Sequence, residues 1–160
     1  MSPARLALTL TVVAATLFGA EKYTGPRPPK ADIPYLMHAD NLIETEVGKA
    51  ASDERKDTVV ATIPGASSPV KTPLAEPIFL FKADKLSVDK IAIFKLDVKN
   101  GQREVVVNAK KAKNMRPPIH VQVTKLDERL YRIDVDEPLE NGEYSLSPDG
   151  SDETFSFQIY

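Results

Sequence analysis

The chain has 160 residues with 21 basic and 23 acidic side chains, so its formal net charge is −2. A balance this close to neutral argues against a nucleic-acid-binding protein and against attachment to a membrane surface by charge, since both need a clustered basic excess. The sequence contains no cysteine, which excludes disulfides, thiol chemistry and zinc sites with cysteine ligands.

The first twenty residues have the pattern of an export signal. Arg5 precedes an apolar run of 13 residues, 6–18, and two small residues then lead into polar sequence. This run is shorter than the roughly 20 residues that span a bilayer. We therefore expect residues 1–20 to be a signal peptide cleaved after Ala20, with cleavage after Ala15 and retention as an anchor as the alternatives. The mature protein is expected in the periplasm or outside the cell, without membrane insertion.

The segment that follows the signal is rich in proline. Residues 21–34 contain four prolines in 14 positions. Proline lacks the backbone donor that helices and strand ladders use. We expect an extended arm or tether here.

Residues 35–160 have the composition of a single all-β domain. Short runs of β-branched and aromatic residues alternate with Gly, Pro, Asn and Asp clusters, and the one plausible short helix, residues 49–57, is placed in a loop. The predicted fold is a mostly antiparallel two-sheet β-sandwich of immunoglobulin-like or related Greek-key type. Nine strands are predicted, at 35–47, 57–63, 76–82, 90–99, 102–109, 119–125, 130–136, 143–147 and 154–160.

The Asn100-Gly101 pair predicts a β-hairpin, because a type I′ turn needs positive φ at both central residues. Leu96 and Phe94 then share one apolar face with two valines of the next strand. The register also sets two acidic residues opposite each other, which is unfavourable. The predicted pairs are Lys99 with Gln102, Leu96 with Val105, Phe94 with Val107 and Asp97 with Glu104.

A second hairpin is predicted between residues 119–125 and 130–136. Joining the apolar faces requires Val123 opposite Ile133 and an odd loop, most simply Asp127–Arg129, closed by Leu126 against Leu130. The other pairs are Val121 with Val135 and, on the solvent face, His120 with Asp136, Gln122 with Asp134 and Thr124 with Arg132.

The phrase LENGEYSL, residues 139–146, and the final strand TFSFQIY resemble the end of an immunoglobulin-like Greek-key sandwich. In such folds a tyrosine that enters the penultimate strand often bonds back to nearby backbone, which implies this role for Tyr144. A cysteine pair and a tryptophan are missing, so the resemblance does not extend to antibody-type domains. The chain also resembles small bacterial proteins that carry a signal peptide and have no known function.

The densest basic cluster lies in the segment 108–118. We call its cationic part, Lys110, Lys111, Lys113 and Arg116, the basic loop. Such a loop suits an anionic glycan, a phosphate-bearing envelope polymer or an acidic protein face, and a merely solvated loop is the alternative. No aromatic residue lies among these charges, which argues against single-stranded nucleic acid.

A second candidate is the polar face formed by His120, Asp134 and Asp136. A histidine beside carboxylates has the elements of acid–base hydrolysis, whereas a solvated cross-strand ladder is the structural alternative. Ser67 and Ser68 do not lie in a G-x-S-x-G motif that would supply a nucleophile. The acidic run 149–153 departs from calcium-loop spacing and indicates an ordinary turn.

These observations favour an exported, non-catalytic binding module whose partner is a protein or an envelope polymer. We expect no catalytic residue, cofactor or metal site. A small secreted hydrolase that uses carboxylates, and a structural subunit of a surface assembly, are the alternatives. The sequence does not predict the oligomeric state.

Overall fold

The computed structural model describes residues 22–160, and the predicted signal peptide at residues 1–20 lies outside this range. The described part contains thirteen strands and two short 3₁₀ turns, Val88–Lys90 and Ala112–Asn114. The strands are β1 (Pro34–His38), β2 (Asn41–Glu44), β3 (Glu46–Lys49), β4 (Ala51–Arg55), β5 (Thr58–Pro64), β6 (Lys71–Thr72), β7 (Ile78–Lys82), β8 (Ile91–Lys99), β9 (Gln102–Ala109), β10 (Val121–Asp127), β11 (Leu130–Val135), β12 (Gly142–Pro148) and β13 (Glu153–Ile159).

The strands form two sheets packed face to face, as the sequence predicts for a β-sandwich. The smaller sheet has the order β10-β11-β7-β1-β2, and the larger has the order β3-β13-β12-β8-β9-β5-β4. Every pairing is antiparallel except that of the two-residue β6 with β13. The main core lies between the smaller sheet and β8, β12 and β13. Its fully or almost fully buried side chains include Leu36, Phe79, Phe81, Ile93, Ile133, Tyr144, Leu146, Phe155 and Phe157.

The larger sheet curls back on itself. Its end strands, β3 and β4, are consecutive in the chain and separated only by Ala50. β3 pairs with β13, whereas β4 pairs with β5 at the opposite end of the sheet. The sheet is therefore rolled, and the face of β12 and β13 that points away from the main core lies inside the roll.

The first predicted strand, residues 35–47, is wrong as a single element. It divides into β1, β2 and β3, and β1 and β2 form a hairpin that turns at Ala39 and Asp40. Ala39 adopts a positive φ of 54°, which reverses the chain there. The other eight predicted strands match observed strands within two residues at each end.

The placement of residues 49–57 in a loop, as the one plausible short helix, is also wrong. Residues 51–55 form β4, paired with β5 from Ala51 opposite Thr62 to Arg55 opposite Thr58. The segment has weak intrinsic preference for a strand, but an adjacent strand with unpaired backbone groups offers it a complete ladder. Tertiary pairing therefore overrides local propensity.

The first hairpin register is confirmed near its turn and wrong beyond it. Asn100 and Gly101 have φ of 51° and 75°, and the pairs Lys99–Gln102 and Asp97–Glu104 form as predicted. Past Asp97 the two strands diverge and form no further pairs with each other, so the predicted pairs Leu96–Val105 and Phe94–Val107 are wrong. Leu96 and Phe94 pair with Glu143 and Ser145 of β12 at the other edge of β8. The space between the diverging strands becomes the cleft described below.

The second hairpin has the predicted register, with Val123 opposite Ile133 and Val121 opposite Val135. The predicted three-residue loop is wrong. Asp127 pairs with Leu130 and Leu126 forms a bulge, so the turn has two residues, with Arg129 at a φ of 56°. The bulge supplies the odd residue that the apolar register requires.

The proline-rich arm lies against the domain. Residues 22–33 contain no helix or strand, Pro28 is buried, and Ile33 packs against the core. The Arg27 guanidinium donates to the Asp127 carboxylate at the β10–β11 turn. The Asp32 carboxylate accepts backbone N–H groups of residues 84–86 at 2.8 to 3.1 Å. That the arm is extended and serves as a tether stays a prediction.

Candidate functional site

A cleft of about 680 Å³ opens where β8 and β9 diverge. Three strands of the larger sheet supply its apolar wall. The side chains of this wall are Ala61 and Ile63 of β5, Phe94 and Leu96 of β8, and Val105 and Val107 of β9. The opposite wall carries hydroxyl groups from β12 and β13, namely Ser145, Ser147 and Thr154. The cleft is thus amphipathic across its width.

One hydroxyl in this wall has no hydrogen-bond partner. Thr154 is 4 % exposed, and its Oγ1 is buried without a partner among the described residues. A Cβ built on Gly48 of the neighbouring strand would lie 3.2 Å from that oxygen, so glycine leaves the threonine room. Buried hydroxyls are usually hydrogen-bonded, so this oxygen is an exception.

A buried ion pair forms the next layer below the inner end of the cleft. Arg103, two residues before Val105 on the same face of β9, has a fully buried side chain. Its guanidinium donates to both carboxylate oxygens of Glu46 at 2.6 and 2.9 Å and to the carbonyls of Pro64 and Gly65 at 2.8 and 2.9 Å. Burial raises the pKa of Glu46, but the hydrogen bonds from Arg103 and Ser68 outweigh it and hold the pKa below its ordinary value. This end of the roll is closed by charged groups in fixed positions.

The turn between β12 and β13 forms one side of the mouth. Residues 148–153 all line the cleft, and three of them are acidic. The turn is held by backbone bonds, from Asp149 N to Lys90 O at 2.8 Å and from Ser151 N to Pro148 O at 3.2 Å. Gly150 has a φ of 74°, a conformation that favours glycine. The acidic run that the sequence assigns to an ordinary turn therefore also belongs to the rim.

The four cations of the basic loop differ in their position relative to the cleft. Arg116 lines the cleft and donates to Asp97 Oδ1 and to the carbonyl of Lys95, both at 3.2 Å. Lys110 pairs with Asp57 at 3.0 Å. Lys111 and Lys113 are exposed and have no ion pair within residues 22–160. Binding of a polyanion by this loop stays a prediction.

The second candidate face lies on the smaller sheet, away from the cleft. Asp136 N donates to His120 O at 3.3 Å, as the predicted cross-strand position requires. The Asp134 carboxylate accepts hydrogen bonds from Arg132 of the same strand at 2.7 and 2.9 Å. His120 borders a smaller hollow of about 310 Å³ that neither aspartate lines. Asp134 lies in β11, His120 and Asp136 lie just outside the ends of β10 and β11, and the three residues do not line a common pocket.

The sequence interpretation missed the cleft because it treated β8 and β9 as a continuous hairpin. Two local signals pointed to the divergence: the apolar run 91–94 and the three valines 105–107 place apolar side chains on both faces of their strands. Strands of that kind are buried on both sides.

Within residues 22–160 no three metal-binding side chains converge, and the same range has no helix long and apolar enough to cross a membrane. Comparisons of the chain with protein-family models, with curated proteins and with solved structures give no match.

Proposed function

We propose that the protein is an exported, non-catalytic binding protein and that the cleft between β8 and β9 is its ligand site. The observation that carries the proposal is the cleft of about 680 Å³ with its apolar wall. Export rests on the sequence pattern of residues 1–20, and the immunoglobulin-like resemblance remains part of the proposal. Tyr144 Oη donates to the Glu140 carbonyl at 2.7 Å, a bond of the kind that this resemblance implies.

The cleft has the properties of a small-molecule site. Such sites commonly have volumes of roughly 300–1,000 Å³, apolar walls and a few polar groups that orient the ligand. Here the polar groups are the hydroxyls of β12 and β13, and the layer below them is closed by the Arg103–Glu46 pair. We infer a ligand with an apolar body that displaces water from Phe94, Leu96 and Ile63.

A neutral dye whose emission rises in apolar surroundings, such as N-phenyl-1-naphthylamine, tests the proposal. The chain has no tryptophan, so protein fluorescence interferes little with the dye signal. The variant Ala61→Phe places a ring in the apolar wall and removes part of the free volume. We expect the dye to bind the unaltered protein saturably and to bind the variant at least about tenfold more weakly.

Ala66→Phe is the matched control. Ala66 is exposed in the loop after β5 and does not line the cleft, so dye affinity is expected to stay within about twofold. Circular dichroism spectra establish that both variants are folded. Absence of saturable dye binding to the unaltered protein, or equal affinities for folded Ala61→Phe and Ala66→Phe, would overturn the proposal.

A further inference from the structure

The polar groups at the mouth of the cleft define a class of ligand, an inference that rests on the function proposed above. The lining residues include Asp149 and Asp152 of the turn between β12 and β13, and Glu153 at the start of β13. The one basic residue that lines the cleft is Arg116. The rim is therefore richer in negative than in positive charge.

The basic side chains at or next to the rim of the cleft are already paired with acidic side chains. Arg116 is paired with Asp97 at 3.2 Å, and Lys49 lies 3.6 Å from Asp152. Asp149 and Glu153 have no ion pair within residues 22–160. The lining residues and their ion-pair partners together carry an excess of two negative charges, contributed by these two carboxylates.

We propose that the cleft binds a cationic amphiphile, a molecule with an apolar body and a protonated amine. The body contacts the apolar wall of β5, β8 and β9, and the ammonium group lies at the rim beside Asp149 and Glu153. Ionised carboxylates only accept hydrogen bonds, which matches a group that only donates them. Opposite charge at the rim also favours entry of the ligand from solution.

The basic loop does not reverse this preference. Of its four cations only Arg116 lines the cleft, and its guanidinium is already bonded to Asp97 and to the Lys95 carbonyl. Lys110 is paired with Asp57 at the β4–β5 turn. The remaining two lysines are exposed and do not line the cleft, so salt screens them more strongly than groups inside it.

Three naphthalene ligands with the same ring and different charge provide the test. These are 1-naphthylmethylamine, 1-naphthylmethanol and 1-naphthoate, and their affinities are measured by displacement of the neutral dye. At low ionic strength we expect the amine to bind roughly five- to tenfold more tightly than the alcohol, and the carboxylate to bind most weakly. In about 0.5 M salt the amine and the alcohol are expected to differ by less than about twofold.

The double variant Asp149→Asn, Glu153→Gln removes the two unpaired carboxylates. It is expected to abolish the preference for the amine, so that the amine and the alcohol bind with similar affinity. The matched control is Glu76→Gln, Glu128→Gln, which alters the net charge equally at two exposed residues that do not line the cleft. This control is expected to keep the preference for the amine.

The possible outcomes separate the two proposals. Tighter binding of the carboxylate, or equal binding of all three ligands, overturns the cationic ligand class and leaves the cleft as a binding site. If the double variant Asp149→Asn, Glu153→Gln still prefers the amine, these two carboxylates are not the source of the selectivity, and the inference is also overturned. Failure of the dye and of every naphthalene to bind overturns the proposed function itself.

Discussion

Charged side chains in this protein are tolerated in buried positions because each has specific partners. The guanidinium of Arg103 has no exposure to solvent, and four hydrogen bonds to Glu46, Pro64 and Gly65 occupy it. Removing one member of such a group leaves the other charge buried and unpaired. The free-energy cost of that charge is larger than the net stabilisation that the pair provides. The ion pair therefore fixes the geometry of β3, β5 and β9 at the base of the cleft.

The like-charge pair Asp97–Glu104, which the sequence marks as unfavourable, is present and is relieved by cations. Arg55 and Lys99 donate to Glu104 at 2.8 and 2.9 Å, and Arg116 donates to Asp97. The sequence could not identify Arg55 and Arg116 as these partners because both lie in segments that it placed in loops. Both cations reach the pair only in the folded sheet.

Glu104 gives a prediction that depends on pH. The hydrogen bonds from Arg55, and then from Lys99, lower the pKa of Glu104 from 4.5 to about 2. A lowered pKa in the folded state stabilises the fold above about pH 4.5, and this contribution is lost as the pH falls towards 2. Glu104→Gln is expected to lower the free energy of unfolding by about 1–2 kcal/mol at neutral pH, after allowance for the exposure of Arg55 and Lys99.

Urea unfolding at a series of pH values checks this prediction. The difference between Glu104→Gln and the unaltered protein is expected to shrink steadily as the pH falls below about 4.5. Glu54→Gln, at an exposed position of β4, is the matched control and is expected to change stability by less than about 0.5 kcal/mol. A difference for Glu104→Gln that is independent of pH would contradict the assignment.

In β12 and β13 the alternating sequence pattern predicts which residues face the main core, but it does not predict the environment of the other residues. Tyr144, Leu146, Phe155 and Phe157 face the main core, and the residues between them would ordinarily face water. In the structure Ser145, Thr154 and Ser156 are buried inside the roll, as is Glu143. Small hydroxyl residues occur on exposed and on closely packed faces alike, so the sequence did not distinguish the two environments.

The turn between β8 and β9 is the element on which the cleft geometry depends, because it holds the two strands together before they diverge. Gly101 has a φ of 75°, and a Cβ added there would meet no atom within 4 Å. The cost of Gly101→Ala is therefore conformational, and we expect it to lower the free energy of unfolding by about 1 kcal/mol. Urea unfolding followed by circular dichroism measures this change.

Gly101→Asn is the companion variant. Asparagine tolerates the left-handed region better than alanine, so this variant is expected to retain part of the stability that alanine loses. Equal stability of the Gly101→Ala and Gly101→Asn variants would contradict this explanation. So would a Gly101→Ala variant that is as stable as the unaltered protein, because the positive φ of the type I′ turn would then not be the reason for the glycine.

At the scale of the whole molecule, β8, β12 and β13 belong to both packed regions. One face of each strand contributes to the main core, and the other lies inside the roll that holds the cleft. We therefore expect the two regions to unfold together. Ile133→Val, a change in the main core at a residue that does not line the cleft, is expected to lower the free energy of unfolding by about 1 kcal/mol.

The measurement compares two signals in one urea titration, circular dichroism for the fold and dye release for the cleft. Both midpoints are expected to shift to lower urea by the same amount in Ile133→Val. Gln122→Ala, at an exposed position of β10, is expected to shift neither. Dye release that stays at the unaltered midpoint while circular dichroism shifts would show that the two regions unfold separately.

Much of the fold follows from local sequence. The alternating apolar residues and the Asn100-Gly101 turn predicted the sandwich, the strand bounds and most of the second hairpin. The candidate site did not follow, because a cleft is created where two strands separate, and separation is decided by competing partners. Ile119 N donates to the Ile93 carbonyl of β8, and the local sequence around neither residue predicts this long-range contact.

The edge strands of the larger sheet affect how readily molecules of this protein associate at high concentration. The outer edge of β13 is covered by β3 and then by β6, and the free strand at the other end, β4, is five residues long. All five are exposed, and the last three are charged. Short, charged edge strands resist pairing with the sheets of neighbouring molecules. The same short strand that closes the roll thus protects this edge of the larger sheet from pairing with another molecule.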